Sequence, residues 1–305
     1  MKKFCNAFLV LTLIGLVSCS SGGSAGQANY MAEPFPTPYA GTFYPIYNSG
    51  VGQWLPPTES TPFDKVSAIF AAFAHAYPKN NGAIIDFEAG QPNEPANLAL
   101  LVNAAKKKNP RIKVLISLGW DKNDWTYISN DYKNNANLFV PSVAAFIRNN
   151  NLDGFDIDDE NIGGTTGNIT QQDFDAVIFN LRQALDQAAA QDNKTYYLTI
   201  SPAGDNQPGG IEGTQIDSYN IKYFNLISIQ TYFNDGWAES FIAAISQTGY
   251  PQNMVANGIS TEKCNPGEFP DYIGYAGLFN WTMTADSACN DYTYTRQIAQ
   301  AVGYR

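Results

Sequence analysis

The chain has 305 residues, of which 44% are hydrophobic and 13% aromatic but only 15% charged. That is enough apolar matter for one large core of barrel size, under a surface that is polar but weakly charged. The net charge of −10 leaves no basic stripe to hold phosphates, so nucleic acid is not an expected partner. A single histidine, His75, excludes a His-rich zinc site.

At the N-terminus, Lys2 and Lys3 precede an apolar run over 8–17 that is too short to span a membrane comfortably. This is a secretory leader. It ends in Leu16, Val17, Ser18 and Cys19, a run that resembles the bacterial lipobox, in which the Cys is lipidated and becomes the mature N-terminus. An ordinary signal peptide that contains a Cys is the plainer alternative. The expected organisation is a signal peptide over 1–18, the lipidated Cys19 with a flexible tether over 19–35, and one folded domain over 36–305. Export follows, as a cell-envelope lipoprotein or a secreted protein, with membrane contact only through the anchor. Of the remaining cysteines, Cys264 and Cys289 suggest one disulfide in an exported chain; two buried free thiols are the alternative.

Short apolar, β-branched or aromatic runs predict eight strands, over 42–47, 66–74, 112–118, 152–158, 197–201, 226–232, 254–259 and 275–281. Amphipathic runs predict helices over 97–108, 134–149, 170–191, 237–248 and 292–302. The third begins with a capping pattern, Thr170 followed at the third position by Asp173. Several strands, such as IKVLISL, are apolar on both faces, as parallel strands buried between layers are. Strand and helix alternate over almost the whole chain after the tether, and eight strand units in this pattern predict a single (β/α)8 TIM barrel. A doubly wound open sheet is the alternative, but no Gly-rich phosphate loop follows the first strand.

The stretch LDGFDIDDEN over 152–161 asks for an explanation. Crowded carboxylates repel one another and are costly to bury. A solvated loop does not account for Leu152, Phe155 and Ile157. A calcium loop counted from Asp156 would need Gly where Asn161 stands and Glu where Gly167 stands. A catalytic array fits. Side chains alternate along a strand, so Asp156, Asp158 and Glu160 share one face and point into the barrel mouth, where strand ends carry chemistry. Asp153 has the opposite parity and is read as structural, behind the site. A Ser-His-Asp triad would have to use His75, which is instead read as a packing or rim residue.

The run DGFDIDDE resembles the signature of glycoside hydrolase family 18, the chitinases and endo-β-N-acetylglucosaminidases, D-G-x-D-x-D-x-E. Asp153, Gly154, Asp156, Asp158 and Glu160 match it. ISLGW at 116–120 is similar to the family's S-x-G-G, with Trp120 replacing the last Gly. QTYFN at 230–234 looks like the strand-six motif, with Tyr232 in the place of the substrate-contacting Tyr. Trp281 ends strand eight, where the family places the Trp that floors the central subsite. Only 260–274 separates strands seven and eight, so this resembles a short bacterial form without the family's α+β insertion, with a more open cleft suited to endo cleavage or a bulky substrate.

The resemblance implies a retaining, substrate-assisted hydrolysis of β-1,4 linkages between N-acetylglucosamine units. Glu160 would be the acid and then the base. Asp158, supported by Asp156, would stabilise the acetamido group, and Tyr232 would hold its oxygen in line. Gln230, Asn234, Trp281 and Trp120 would contact sugar, and Trp54, Trp125 and Trp237 are candidates for the same rim. No cofactor or metal is expected. The expected partner is an N-acetylglucosamine-containing polysaccharide or glycan, bound by a monomer. An endo-β-N-acetylglucosaminidase acting on N-glycans and a non-catalytic sugar-binding protein are the alternatives.

Overall fold

A computed structural model describes residues 30–50, 52–160, 169–203, 210–232, 235–264 and 269–305. The chain divides into Met1–Tyr30 and Met31–Arg305, and the fold is that of the second unit. The expected leader, Cys19 and Asn234 lie outside the described residues.

Eight parallel strands close on themselves. They are β1 (Tyr39–Pro45), β2 (Ala68–Ala72), β5 (Lys113–Leu118), β6 (Gly154–Asp159), β7 (Tyr197–Pro202), β8 (Leu226–Ile229), β9 (Val255–Ser260) and β10 (Gly277–Trp281). Their order around the barrel is β1-β10-β9-β8-β7-β6-β5-β2. The expected (β/α)8 barrel is borne out, and each of its strands falls on one of the eight predicted runs. The two-faced apolarity of these runs is the cause. Val114, Ile116 and Leu118 of β5 pack outward under helices, while Leu115 points into the lumen with Phe43, Phe70 and Phe279. Each large side chain so buried contributes roughly 1.5–3 kcal/mol. Small residues make room for the rings: a Cβ at Gly41 would collide with the Tyr39 hydroxyl.

The helices are α1 (Glu94–Lys108), α2 (Lys122–Lys133), α3 (Phe139–Asn149), α4 (Gln171–Asp192), α5 (Asp235–Gln247), α6 (Met283–Asn290) and α7 (Thr293–Val302). The predicted cap of α4 is present: the Thr170 hydroxyl accepts the Asp173 N–H. The helix predicted over 134–149 starts only at Phe139, because Asn135 and Asn137 adopt left-handed conformations, both at φ 52. Two helices were not predicted. The sequence of α2, KNDWTYISNDYK, is too polar for a clear apolar stripe; the Asp121 carboxylate starts it by accepting the Asn123 N–H. In α6 eight residues are too few to display a period, and Thr282 caps it.

A hairpin was also missed. The run read as one strand over 66–74 ends as a barrel strand at Ala72, and β3 (Ala74–Lys79) pairs antiparallel with β4 (Gly82–Phe87). Asp131 of α2 and Ser142 of α3 accept the Ala83 and Ile85 N–H groups, fixing the hairpin over those helices. The connections β1–β2, β7–β8 and β9–β10 carry no α-helix among the described residues. Beside β9 this leaves a cavity of about 910 Å³, lined by Ile242, Tyr250, Asn257 and Phe269 among others.

The last residues of the segment expected as a tether, 19–35, are packed on the barrel. Ala32 and Phe35 are buried, the Ala32 N–H donates to Lys222 O at 2.8 Å and the Phe35 N–H to Asn225 O at 3.0 Å. Phe35 packs on Tyr39 and Tyr197. Its apolar area is what draws this segment onto the barrel.

Candidate active site

Strand β6 turns Asp156 and Asp158 to its inner face and Asp159, which accepts the Gln215 N–H at 3.0 Å, to the other. Asp156 stands in register with Ser117 on β5 and with Thr199 on β7, so all three side chains leave their strands on the same, inner face. The Asp156 carboxylate accepts hydrogen bonds from the Ser117 hydroxyl at 2.7 Å, from Thr199 at 2.6 Å and, longer, from Ser201 at 3.3 Å. Burial nevertheless pushes its pKa from 3.8 up to about 6; the three hydroxyls lower it without cancelling the desolvation. Tyr39 faces the same carboxylate from β1. Burial raises its phenol above the ordinary range, and the Asp156 charge adds to that.

Asp158 is next on the inner face. Its Oδ1 accepts the Gln230 amide at 2.6 Å, and the same Nε2 donates to Ser201 O at 2.9 Å, so Gln230 spans from β7 to β6. Burial holds the Asp158 pKa well above the carboxylate range, and repulsion from Glu160 and then Asp156 pushes it further. Glu160 is the first residue beyond β6 and is half-buried. The Tyr232 hydroxyl is raised as well, by burial first and then by Asp158 and Glu160, which puts the phenol beside both acids. Its ring crosses Phe279 edge-on at 6.0 Å and leans over Gly258, where a Cβ would come within 2.7 Å of Cε1. A set of close carboxylates under partial burial retains a proton near neutrality, and that proton belongs to the set rather than to one acid.

Gly119, directly after β5, sits at φ +131, and a Cβ there would be 2.5 Å from the Asp158 carbonyl oxygen. Only glycine lets the 118–120 turn pass this close to the acid strand.

Asp153 is placed elsewhere. It precedes β6, accepts the Val114 N–H at 2.9 Å, and pairs with Lys106 at 2.9 Å and Lys194 at 3.5 Å. Its contacts tie together neighbouring strands and helices.

A cleft of about 580 Å³ with an aromatic wall opens at the turn after β5, lined by Tyr47, Phe73, Trp120, Glu262 and Trp281 among others. Phe73 stacks on Trp281 at 5.7 Å, on Trp120 at 6.2 Å and on Tyr47 at 6.4 Å. Trp120 is 53% exposed, an apolar face open to solvent. The other tryptophans proposed for this rim do not join it. Trp125 is fully buried against Phe174, Trp54 packs edge-on to Tyr44, and Trp237 stacks on Phe241 with its indole donating to Glu212 O. Trp125 and Trp237 belong to α2 and α5, not to loops, and position after a strand does not fix which way a side chain turns. His75 does lie on the rim, 3.3 Å from Asp124.

Sequence reasoning missed Tyr39, Tyr47, Phe73, Ser117, Thr199, Ser201 and Glu262. Strand parity combined with the register finds Ser117, Thr199 and Ser201, which line up with Asp156 and Asp158, but the sequence does not carry the register. The structure joins Cys264 to Cys289, with Cα atoms 5.0 Å apart. Among the described residues no group of His, Cys, Asp and Glu could hold a metal, and no helix is long and apolar enough to cross a membrane.

The comparisons with known proteins agree with this geometry. Chitinase A1 of Niallia circulans is 33% identical over 150 residues, which are 45% of this chain but only 20% of that protein. This chain thus spans a small fraction of the length of that curated relative. The fold is shared with a class V chitinase from Nicotiana tobaccum, crystallised as a mutant with NAG4, at a TM-score of 0.65 and 14% identity over 86% of this chain and 98% of that one. It is shared equally with human YKL-39, described as a pseudo-chitinase with retained chitooligosaccharide binding, at a TM-score of 0.64 and 14% identity, covering 86% and 99%. The family model "Glycosyl hydrolases family 18" matches residues 44–293, most of the barrel, and the chain belongs to that family.

Proposed function

We propose that the chain hydrolyses β-1,4 linkages between N-acetylglucosamine units, as in chitin and its oligosaccharides, by a retaining and substrate-assisted mechanism with endo action. The observation that carries this reading is the line of inward acids on β6, ending at half-buried Glu160, beside the Tyr232 phenol.

The sugar preceding the scissile bond stacks on Trp281, its apolar C–H face against the indole. Glu160 gives its proton to the glycosidic oxygen. The acetamido oxygen attacks the anomeric carbon in place of an enzyme carboxylate, as this family's exception to the two-carboxylate scheme requires. Asp158, released from Gln230, takes the acetamido N–H and stabilises the positive oxazolinium ion. Asp156 keeps the local charge negative, held by Ser117, Thr199 and Ser201. Tyr232 donates to the acetamido oxygen. Glu160 then removes a proton from water, which attacks from the face the leaving group vacated.

A second reading, an endo-β-N-acetylglucosaminidase on N-glycans, shares this chemistry; the shortness of the chain between β9 and β10 supports it, since a cleft without an inserted domain would accept a bulky glycan. A purely sugar-binding role is raised by the likeness to YKL-39, and Glu160 in the acid position argues against it. Export with lipidation at Cys19 belongs to the same proposal, and the mass of the N-terminal peptide of the membrane-extracted protein tests it.

The test of function is product analysis by mass spectrometry, with chitin oligosaccharides and a high-mannose glycoprotein as separate substrates. Short N-acetylglucosamine oligomers, lost in Glu160→Gln, support the chitinase. Intact released glycans move the assignment to the endoglycosidase. Binding without cleavage refutes catalysis.

A further inference from the structure

The cleft floor has a feature that the hydrolysis itself does not use. The Trp281 indole N–H donates to Glu262 Oε1 at 2.6 Å. Phe43 meets the indole edge-on at 5.2 Å and Phe73 stacks on it at 5.7 Å, so the ring is flanked by carbon while its one polar atom is held by a carboxylate. Such a charge-assisted bond is shorter and stronger than a neutral one.

Glu262 is itself held from both sides. The Thr261 N–H donates to Trp281 O at 2.7 Å, and the Thr261 hydroxyl donates to Thr282 O at 2.8 Å. Two residues on, Cys264 is bonded to Cys289 of α6, and the Asn290 amide donates to Cys264 O at 3.1 Å. The ends of β9 and β10 are thus laced together around this one carboxylate. Glu262 also lines the cleft, and after burial its charge is the first influence that raises the Tyr47 phenol.

We infer that Glu262 is a positioning residue: its carboxylate fixes the Trp281 indole so that the ring face stays presented to the sugar. This rests on the hydrolase reading, with Trp281 as the floor under the sugar being cut. The role runs through the ring and not through charge offered to the substrate.

The test uses the full barrel, 15N-labelled at tryptophan, in Glu262→Ala, Glu262→Gln, Trp281→Phe and the Glu262→Ala/Trp281→Phe double variant. The Trp281 indole N–H resonance is assigned as the one lost in Trp281→Phe. Glu262→Ala is expected to move that resonance and to raise KM for chitin oligosaccharides about 10-fold with little change in kcat, the order of one lost hydrogen bond. Glu262→Gln keeps an acceptor oxygen and is expected to restore most of the loss. In the Trp281→Phe background, removing Glu262 is expected to cost nothing further. An unmoved resonance overturns the inference. So does an undiminished KM cost in the Trp281→Phe background, which would mean direct contact with sugar, or a Gln variant as impaired as Ala, which would mean that charge is what matters. If even the wild type cuts nothing, the hydrolase reading fails, while the resonance still decides the positioning role.

Discussion

Replacing Asp156 by Asn is expected to stabilise the barrel at neutral pH while impairing it as a catalyst. The carboxyl is fully buried and its pKa stands at about 6 in the fold against 3.8 in the open chain. A group raised in this way binds its proton more tightly folded than unfolded. Its stabilising contribution is complete below pH 3.8 and is lost as pH rises through about 6. At pH 7 the loss amounts to about 3 kcal/mol, from roughly two units at 1.36 kcal/mol each. Asparagine has no charge to desolvate. Its carbonyl accepts from Thr199, and its NH₂ donates to the Ser117 hydroxyl, which turns to accept. The assay is thermal unfolding followed by circular dichroism across pH 4–8. The variant is expected to melt several degrees above the wild type at pH 7, with the gap closing toward pH 4. A variant less stable than wild type at pH 7, or a gap that does not change with pH, would refute the reasoning. Loss of activity alongside the gain in stability is the expected signature of an acid kept charged for chemistry at a cost to the fold.

Two further outcomes follow from the same network. Gln230→Leu removes the 2.6 Å donor that lowers the Asp158 pKa, so the acid limb of the kcat/KM profile is expected to move to higher pH and kcat to fall roughly 10- to 100-fold; a profile unmoved at full activity would show that Gln230 does not govern Asp158. Gly119→Ala puts a methyl 2.5 Å from the Asp158 carbonyl at a φ that L residues avoid, and is expected to lower the melting temperature and activity together, by more than about 1 kcal/mol of stability. A stable, inactive Gly119→Ala protein would point to displacement of Asp158 without strain.

Much of the barrel was legible in sequence, because a strand buried on both faces must be apolar on both and IKVLISL has no other good use. The acid line was legible for a complementary reason: Asp156 and Asp158 break that rule at a period of two, and only an inward, functional face tolerates it. The hairpin β3–β4 was not, since the run over 66–74 continues into Ala74 and His75 without a break in composition, and the turn of direction after Ala72 is set by packing over α2 and α3. Glu262 was invisible because a lone acid in a polar loop says nothing until Trp281 is folded against it. Trp125 and Trp120 show the same limit: five residues apart in sequence, one is buried against Phe174 and the other is open in the cleft.

The most direct test of the account is the anomeric form of the first product. The soluble barrel with chitin oligosaccharides, followed by proton NMR from the first minute, is expected to release the β-anomer first, with the α-anomer appearing only by mutarotation, since the acetamido group and then water invert the anomeric carbon in turn. Initial release of the α-anomer, or cleavage that persists when the sugar preceding the bond has lost its acetyl group, would contradict it.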